Sequence, residues 1–473
     1  MKKLKFSISI LLCMLLLLSS FSLPAGAAAV SDADAEKAIT MFPGSDDSKR
    51  NFSWYAPADS EDCCVDISLS PDMSAAVCFE GVLEKTYQGD FSAKVTVSGL
   101  EENTEYYYVC NDGANSSEVY SFETGSFTEF SALLISDVHM SGDAEHPEEL
   151  AASAQKLDAL FTQANANHPF DIVLSSGDQA NSGRRSEYTA FAANSFLKSV
   201  PAATALGNHD RGGVDYKYYN NVPNEYTQGL QLFHGGDYWF VKGSVLFMVF
   251  DSNNAAGLSH RSFVKEAVAA NPGARWRVAI MHHDLYSEVI PSRENENRLL
   301  RALWTPIFDE FNVDLVLLGH SHYYSVSNVL YNGSCTETIE NGKTVNNASG
   351  TVYMVSPSVI RPRGGELSYG DNIAIGADNE ERRIYNMIDF SENELTVTGY
   401  DYSDDSVYST FTLTKSADFE PQEANIFQKR AGFLGSALGN FVALFRNIGV
   451  VFDLREDGYE LPLSEAFSGS AGK

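Results

Sequence analysis

The chain has 473 residues, too many for one small core, and its 44% hydrophobic content is enough to bury larger ones. A formal net charge of −30 repels phosphate backbones. That excludes nonspecific nucleic-acid binding and fits a well-solvated acidic surface.

Lys2, Lys3 and Lys5 precede an apolar run from Phe6 to Leu23, and small residues at A-x-A spacing follow (Ala25/Ala27 or Ala27/Ala29). Residues 1–29 therefore read as a secretory signal peptide, which predicts a secreted or cell-surface protein. A retained membrane anchor is the competing reading, because the run is long enough to span.

Residues 40–126 consist of short β-rich runs broken by polar turns every ten or so residues, the pattern of an antiparallel sandwich. Within it, Leu100, Thr104, Tyr106 and Tyr108 follow the order L-x-x-x-T-x-Y-x-Y. This resembles the tyrosine corner of fibronectin type III domains, with Tyr106 at the corner. Cys63, Cys64, Cys78 and Cys110 cluster here, and Cys335 stands apart. Export permits disulfides, and a strained bond between neighbours 63 and 64 leaves two cross-pairings open. With no C-x-x-C pair, a thiolate zinc site is not expected.

Residues 127–415 alternate apolar strands with helical stretches, about 148–165, 260–270 and 294–311 among them, and turn β-rich after 350. Strands alternating with helices predict a layered α/β fold whose sheet is buried on both faces. In 420–473 a helix is predicted over 424–449. Phe427, Ala431, Leu434, Leu438, Phe441, Phe445 and Ile448 recur three and four apart on one face, with Lys429, Arg430 and Arg446 nearby. Two readings remain for that face: packing on its own protein or a twin, or lying on a membrane surface.

The strands of the α/β region share a habit. They end in Asp137-Val-His139, Gly177-Asp178, Gly207-Asn208-His209-Asp210, His282-His283 and Gly319-His320-Ser321-His322. Sites in α/β folds form beyond the carboxyl ends of strands, so these residues converge. Six of the ten histidines lie at these five places, which packing alone does not explain. Oxygen and nitrogen donors without sulfur suit Zn, Mn or Fe. Asp137, His139, Asp178, Asn208, His282, His320 and His322 supply four bonds to each of two ions if Asp178 bridges. Metal pairs of that kind serve phosphate-ester displacement. His320 and His322 would then go to different metals.

The order D-x-H, G-D, G-N-H-D, M-H and G-H-x-H resembles the calcineurin-like metallophosphoesterase superfamily from about 129 to 415. With the sandwich in front, the layout resembles the purple acid phosphatases. The resemblance implies an αββα sandwich of two mixed sheets behind the all-β front domain. It implies Asp137, His139, Asp178 and His322 at one metal, and Asp178, Asn208, His282 and His320 at the other. There are departures. Purple acid phosphatases use D-x-G and place a tyrosine ligand three residues after G-D, where this chain has His139 and Asn181. No phenolate-to-iron colour is therefore expected. Asp284 stands where the family often has proline, which leaves His282 against His283 open.

Two ions held there would neutralise phosphate oxygens and lower the pKa of bound water, and the expected nucleophile toward phosphorus is the hydroxide this would supply. His209, beside Asn208, is the candidate acid for the leaving alkoxide, and Asp210 the candidate for fixing its tautomer. Arg211, His283, Tyr286 and Tyr323 are candidate substrate contacts. His146, His168, His234 and His260 read as surface or structural.

The expected function is a secreted phosphoesterase with two divalent or trivalent ions, acting on a small phosphorylated substrate. The front domain favours phosphomonoesters. The D-x-H motif, common among phosphodiesterase relatives, favours diesters of nucleotides or lipid head groups. A cell-surface binding protein on a spent phosphatase scaffold is the reading from another class. It predicts loss of a ligand, whereas all seven are present.

Overall fold

A computed structural model describes residues 32–113, 115–142, 145–228, 236–287, 289–290, 293–363, 369–377, 382–420 and 426–447. The predicted signal peptide, His234 and residues 448–473 lie outside the described residues.

The front domain is an eight-stranded antiparallel sandwich. One sheet contains Thr40–Pro43 (β1), Lys49–Ala56 (β2), Val82–Lys85 (β5) and Phe91–Ser98 (β6) in the order β1-β2-β6-β5. The other contains Cys64–Ser68 (β3), Val77–Glu80 (β4), Glu105–Asn111 (β7) and Tyr120–Glu123 (β8) in the order β4-β3-β7-β8. Period-two alternation on β7 turns Tyr106, Tyr108 and Cys110 inward against Phe52, Trp54, Val95 and Phe122. The Tyr106 hydroxyl accepts the Glu101 N–H at 2.9 Å, the contact of a tyrosine corner. No disulfide is formed among the five cysteines of the described residues. Cys63 and Cys110 are buried inside the sandwich, while Cys64 and Cys78 share its outer side with Asp66. Neither open cross-pairing is formed.

Two mixed seven-stranded sheets make the centre of the second domain. The first contains Phe130–Ile135 (β9), Ile172–Ser175 (β10), Ala202–Thr204 (β11), Lys343–Asn346 (β19), Ile384–Phe390 (β22), Glu394–Asp401 (β23) and Val407–Thr414 (β24), in the order β11-β10-β9-β22-β23-β24-β19. The second contains Tyr238–Lys242 (β12), Val245–Val249 (β13), Trp276–Ile280 (β14), Leu315–Leu318 (β15), Ser325–Ser327 (β16), Val352–Val355 (β20) and Ile373–Gly376 (β21), in the order β12-β13-β14-β15-β20-β16-β21. Val329–Tyr331 (β17) and Ser334–Glu337 (β18) form a separate hairpin. The sheets face each other over a continuous core that includes Phe247, Val278, Leu317, Met354 and Ile388.

Helices cover the outer faces, completing an αββα sandwich. Asp32–Lys37 (α1) precedes the first strand. Pro147–Asn167 (α2) buries Leu157, Leu160 and Phe161 against the first sheet, joined by Arg185–Ala192 (α3) and Asp215–Tyr219 (α4). Gly257–Ala270 (α5) and Glu294–Glu310 (α6) bury Phe263, Leu303 and Phe308 against the second. The front domain docks on the first-sheet side: Asn51 Nδ2 donates to Asn221 O at 3.0 Å, Tyr108 OH to Lys198 O at 2.9 Å, and Arg185 pairs with Asp90 at 2.6 Å.

Ile426–Asn447 (α7) corrects one expectation. It packs on α5 and α6, but through Gly432, Ser436 and Gly439. A Cβ on Gly439 would stand 2.5 Å from Ala255 O. Close approach thus selects the small residues, and Ala431, Leu434, Leu438 and Phe441 face solvent. The side chains of Phe427, Phe445 and Ile448 lie outside the described residues.

Candidate metal centre

The two sheets bring their parallel strands' carboxyl ends to one edge. There β9 delivers Asp137 and His139, β10 delivers Asp178, and β11 delivers Asn208. From the second sheet β14 delivers His282, and β15 delivers His320 and His322. Each chain must reverse sharply just past its strand. Five of the seven donors accordingly sit in the left-handed region: Asp137 (φ 51°), His139 (48°), Asp178 (55°), His320 (72°) and His322 (65°). Such strain persists only where surrounding structure over-determines it, and it concentrates at functional sites. Two glycines are dictated by crowding. A Cβ on Gly207 would lie 2.0 Å from Asp178 Oδ1, and one on Gly319 would lie 2.0 Å from Ser136 Oγ and 2.7 Å from Asp137 Oδ2.

The seven side chains form two donor sets. In the first, His322 Nε2 lies 3.0 Å from Asp137 Oδ1 and 3.1 Å from His139 Nε2, and His139 Nε2 lies 3.7 Å from Asp178 Oδ2. In the second, His282 Nε2 lies 3.2 Å from Asp178 Oδ2, 3.0 Å from Asn208 Oδ1 and 3.2 Å from His320 Nδ1. Asp178 Oδ2 belongs to both sets. Ligands held at about 2.1 Å from one ion stand roughly 3–3.5 Å from each other, so the spacing fits two ions. Asp137 Oδ1 is buried without a directed hydrogen bond, which also fits a cation.

The partners around the donors fix which atom points inward. Asp137 Oδ2 accepts from Ser136 Oγ at 2.5 Å and from the His320 N–H at 2.9 Å, freeing Oδ1. Asp178 Oδ1 accepts the His209 N–H at 2.9 Å, freeing Oδ2. His282 Nδ1 donates to Ser176 O at 2.9 Å, and His322 Nδ1 to Arg361 O at 3.0 Å, so each presents Nε2. His320 presents Nδ1 instead, with its carbonyl oxygen taken by Arg293 Nη1 at 2.9 Å. The sequence left His282 and His283 open; the geometry chooses His282. His283 turns its Nδ1 to Ser252 Oγ at 2.8 Å, and its ring lies 4.6 Å from that of His320.

Electrostatics agree with a cation site. Burial acts to raise Asp137, but the imidazoles of His322, His282 and His139 outweigh it and hold the carboxylate well below its usual range. Asp178 behaves alike: burial raises it, and His282 and His139 overcome that. Burial lowers His139 to about 4 despite Asp178 and Asp137. Burial also lowers His320, helped by His283 and Arg293. His282 goes the other way. Burial opposes its proton, but Asp178 prevails and lifts it to about 9.

Around the donors, His209 is half-buried, its ring edge-on to His139 at 4.6 Å, with Nδ1 on Asn181 O at 2.8 Å. Asp210 does not fix that tautomer. A 3₁₀ turn from Asp210 to Gly212 aims its carboxylate at the N–H groups of Ala180 (2.9 Å), Gly207 (3.0 Å) and Gln179 (3.3 Å) and at Tyr188 OH (3.0 Å). Burial and Asp178 push Asp210 up to about 7. Tyr286 also departs from its expected place. It is buried, with Tyr353 at 4.7 Å and the Arg301 guanidinium over its ring at 5.2 Å. Tyr323 is buried beyond His322, and Arg211 is half-buried. Asp284 closes a turn by accepting the N–H groups of Tyr286 and Ser287 at 3.0 and 3.1 Å.

The remaining histidines divide. His146 is exposed; His168 stacks on Tyr400 at 3.9 Å; His260 is buried on Asp237 at 2.5 Å. Arg361 and Arg293 escaped the sequence reading. Arg361 opens the loop Arg361-Pro362-Arg363 and Arg293 precedes α6, and neither place carries a spacing signal that marks a site.

Residues 130–324 match the calcineurin-like phosphoesterase family, and residues 36–124 match the purple acid phosphatase N-terminal domain. The chain is 25% identical to purple acid phosphatase 1 of Ipomoea batatas over 276 residues, covering 52% of this chain and 54% of that protein. It is 25% identical over 183 residues to a probable cyclic nucleotide phosphodiesterase of Rhodopseudomonas palustris, covering 36% of this chain and 63% of that protein. In structure it is similar to the purple acid phosphatase isolated from yellow lupin seeds, with a TM-score of 0.64 and 16% identity, over 80% of this chain and 74% of that one. The two family matches follow one another along the chain, the purple acid phosphatase N-terminal domain first, and the likeness to the yellow lupin protein extends over the fold of both parts. The chain spans a little over half the length of the Ipomoea protein.

Proposed function

We propose that the protein is a metal-dependent phosphoric ester hydrolase that cleaves small phosphomonoesters outside the cell. The observation that carries this is the pair of four-donor sets sharing Asp178 Oδ2. Asp137, His139, Asp178 and His322 would hold one ion, and Asp178, Asn208, His282 and His320 the other. When bound, divalent or trivalent Fe, Mn or Zn supplies Lewis acidity to phosphoryl oxygens and acidifies water at the site.

The chain's own groups do the rest. A carbonyl oxygen only accepts, so Asn181 O keeps one proton of His209 on Nδ1; as the doubly protonated imidazolium, His209 would give its second proton from Nε2 to a leaving alkoxide and return to the neutral Nδ1–H form. Asp210 holds the turn that carries Asn208 and His209. Two guanidiniums are tied into the ligand loops, Arg293 on His320 O and Arg361 on Asn181 Oδ1. Their charge favours the dianion of a monoester over the monoanion of a diester. Export rests on the leader at residues 1–29, and sequencing the N-terminus of protein recovered from the medium tests it.

The test of activity strips the protein of metal, reloads it with Mn, Fe or Zn, and compares p-nitrophenyl phosphate with bis(p-nitrophenyl) phosphate. Faster monoester cleavage is expected. Dominant diester cleavage would support the phosphodiesterase alternative, which the D-x-H motif favours. No cleavage of either ester with two ions bound per chain would overturn the proposal.

A further inference from the structure

α7 is mounted inside out. Its small residues Gly432, Ser436 and Gly439 take the protein side, and four large apolar residues take the water side. Phe433, Leu434, Leu438 and Phe441 are 52%, 66%, 48% and 58% exposed. At 100° per residue they lie within one face, opposite the glycines. The other large apolar residues exposed among the described ones are scattered over the strands and loops of both domains. A concentrated apolar face marks an interaction site. Lys429 and Arg430 stand exposed at its N-terminal end. Residues 424–447 hold three basic residues and no acid, in a chain of net charge −30.

The geometry points to an anionic lipid surface as the partner of this face. A helix with phenylalanine and leucine on one side and basic residues at its edge lies in the interface plane of a bilayer. No helix among the described residues is long and apolar enough to cross a membrane. Charge decides between a bilayer and a second copy. A twin would bring another −30 body and a second set of the same cations against this face. An anionic bilayer complements the cations, and screening over about 8 Å leaves the local charge of α7 in control.

The test uses the full mature chain in vesicle flotation. Vesicles of phosphatidylcholine with an equal part of phosphatidylglycerol are compared with pure phosphatidylcholine. Flotation is expected with the anionic vesicles and weakens at high salt. Combined substitution of Phe433→Ser, Leu434→Ser, Leu438→Ser and Phe441→Ser is expected to lower the bound fraction at least tenfold with an unchanged thermal transition, since these side chains face water. Lys429→Gln with Arg430→Gln is expected to lower binding to anionic vesicles alone. Equal flotation of the wild type and the four-serine variant would overturn the inference. So would absence of flotation together with a sedimentation-velocity dimer that the four-serine variant dissolves.

Discussion

Arg361 Nη1 donates to Asn181 Oδ1 at 3.0 Å, and the carbonyl oxygen of the same asparagine takes His209 Nδ1 at 2.8 Å. Asn181 stands three residues after Asp178, where the purple acid phosphatases carry a tyrosine ligand. Here the position holds the Arg361 guanidinium and the His209 imidazole beside the first donor set. Replacing Arg361 with alanine is expected to raise KM for p-nitrophenyl phosphate and to weaken inhibition by inorganic phosphate, each on the order of tenfold or more. That is the loss of one charge-assisted hydrogen bond. Arg361→Lys restores only part, because a lysine cannot keep the fork on Asn181 and still face substrate. Unchanged KM and phosphate inhibition would remove Arg361 from the substrate site.

Asp210 makes a different prediction from the one its place in G-N-H-D suggests. All of its partners are donors: three backbone N–H groups and the Tyr188 hydroxyl. Asp210→Asn puts an NH2 against donors, so it destabilises almost as much as Asp210→Ala. Urea unfolding is expected to show a loss of about 2–4 kcal/mol for either, from buried groups left unpaired. His209→Ala is expected to leave stability within about 0.5 kcal/mol and to lower kcat by on the order of a hundredfold. If Asp210→Asn matched wild-type stability, the structural role would fail.

What the sequence revealed and what it hid have one cause. Ligand types at strand ends are a linear signal, so the seven donors were legible, as were the helices. Contacts made by backbone reversal are not linear. Asp210 follows His209 in the chain but turns away from it within one 3₁₀ turn. The left-handed φ of His320 and His322, which sends neighbours to opposite donor sets, has no residue code outside glycine. Tyr286 read as a candidate substrate contact, yet its ring found the core. For α7, apolar periodicity found the helix and left open which face docks on the protein. Gly432, Gly435 and Gly439, also three and four apart, were the available signal that the small side docks.

Sharing of Asp178 predicts how the ions leave. Asp178→Asn is expected to drop elemental analysis from two ions per chain to one or none, because both sets lose their common oxygen. His139→Ala touches the first set alone and is expected to keep one ion. Chelation of the wild type is expected to lower Tm by several degrees, since ligands that bind only the folded chain stabilise it by about 4 kcal/mol at a thousandfold excess over Kd. Asp178→Asn is expected to lose most of that chelator response. Equal responses in the two proteins would show that Asp178 does not join the sets.

Asp309, at the end of α6, adds a pH dependence of its own. It is 8% exposed, and burial pushes its carboxyl from 3.8 up to about 6, against the single N–H of Asn332 at 2.9 Å. The folded chain therefore holds this proton where the unfolded chain has lost it. Its contribution to stability falls as pH rises from 3.8 through about 6 and is flat above. An asparagine keeps the acceptor for Asn332 and carries no charge. Asp309→Asn is expected to gain up to about 3 kcal/mol at pH 7.5 and roughly half of that at pH 5. Urea titrations of both proteins at the two pH values measure the difference. A gain that does not change with pH would assign the effect to packing rather than to the buried charge.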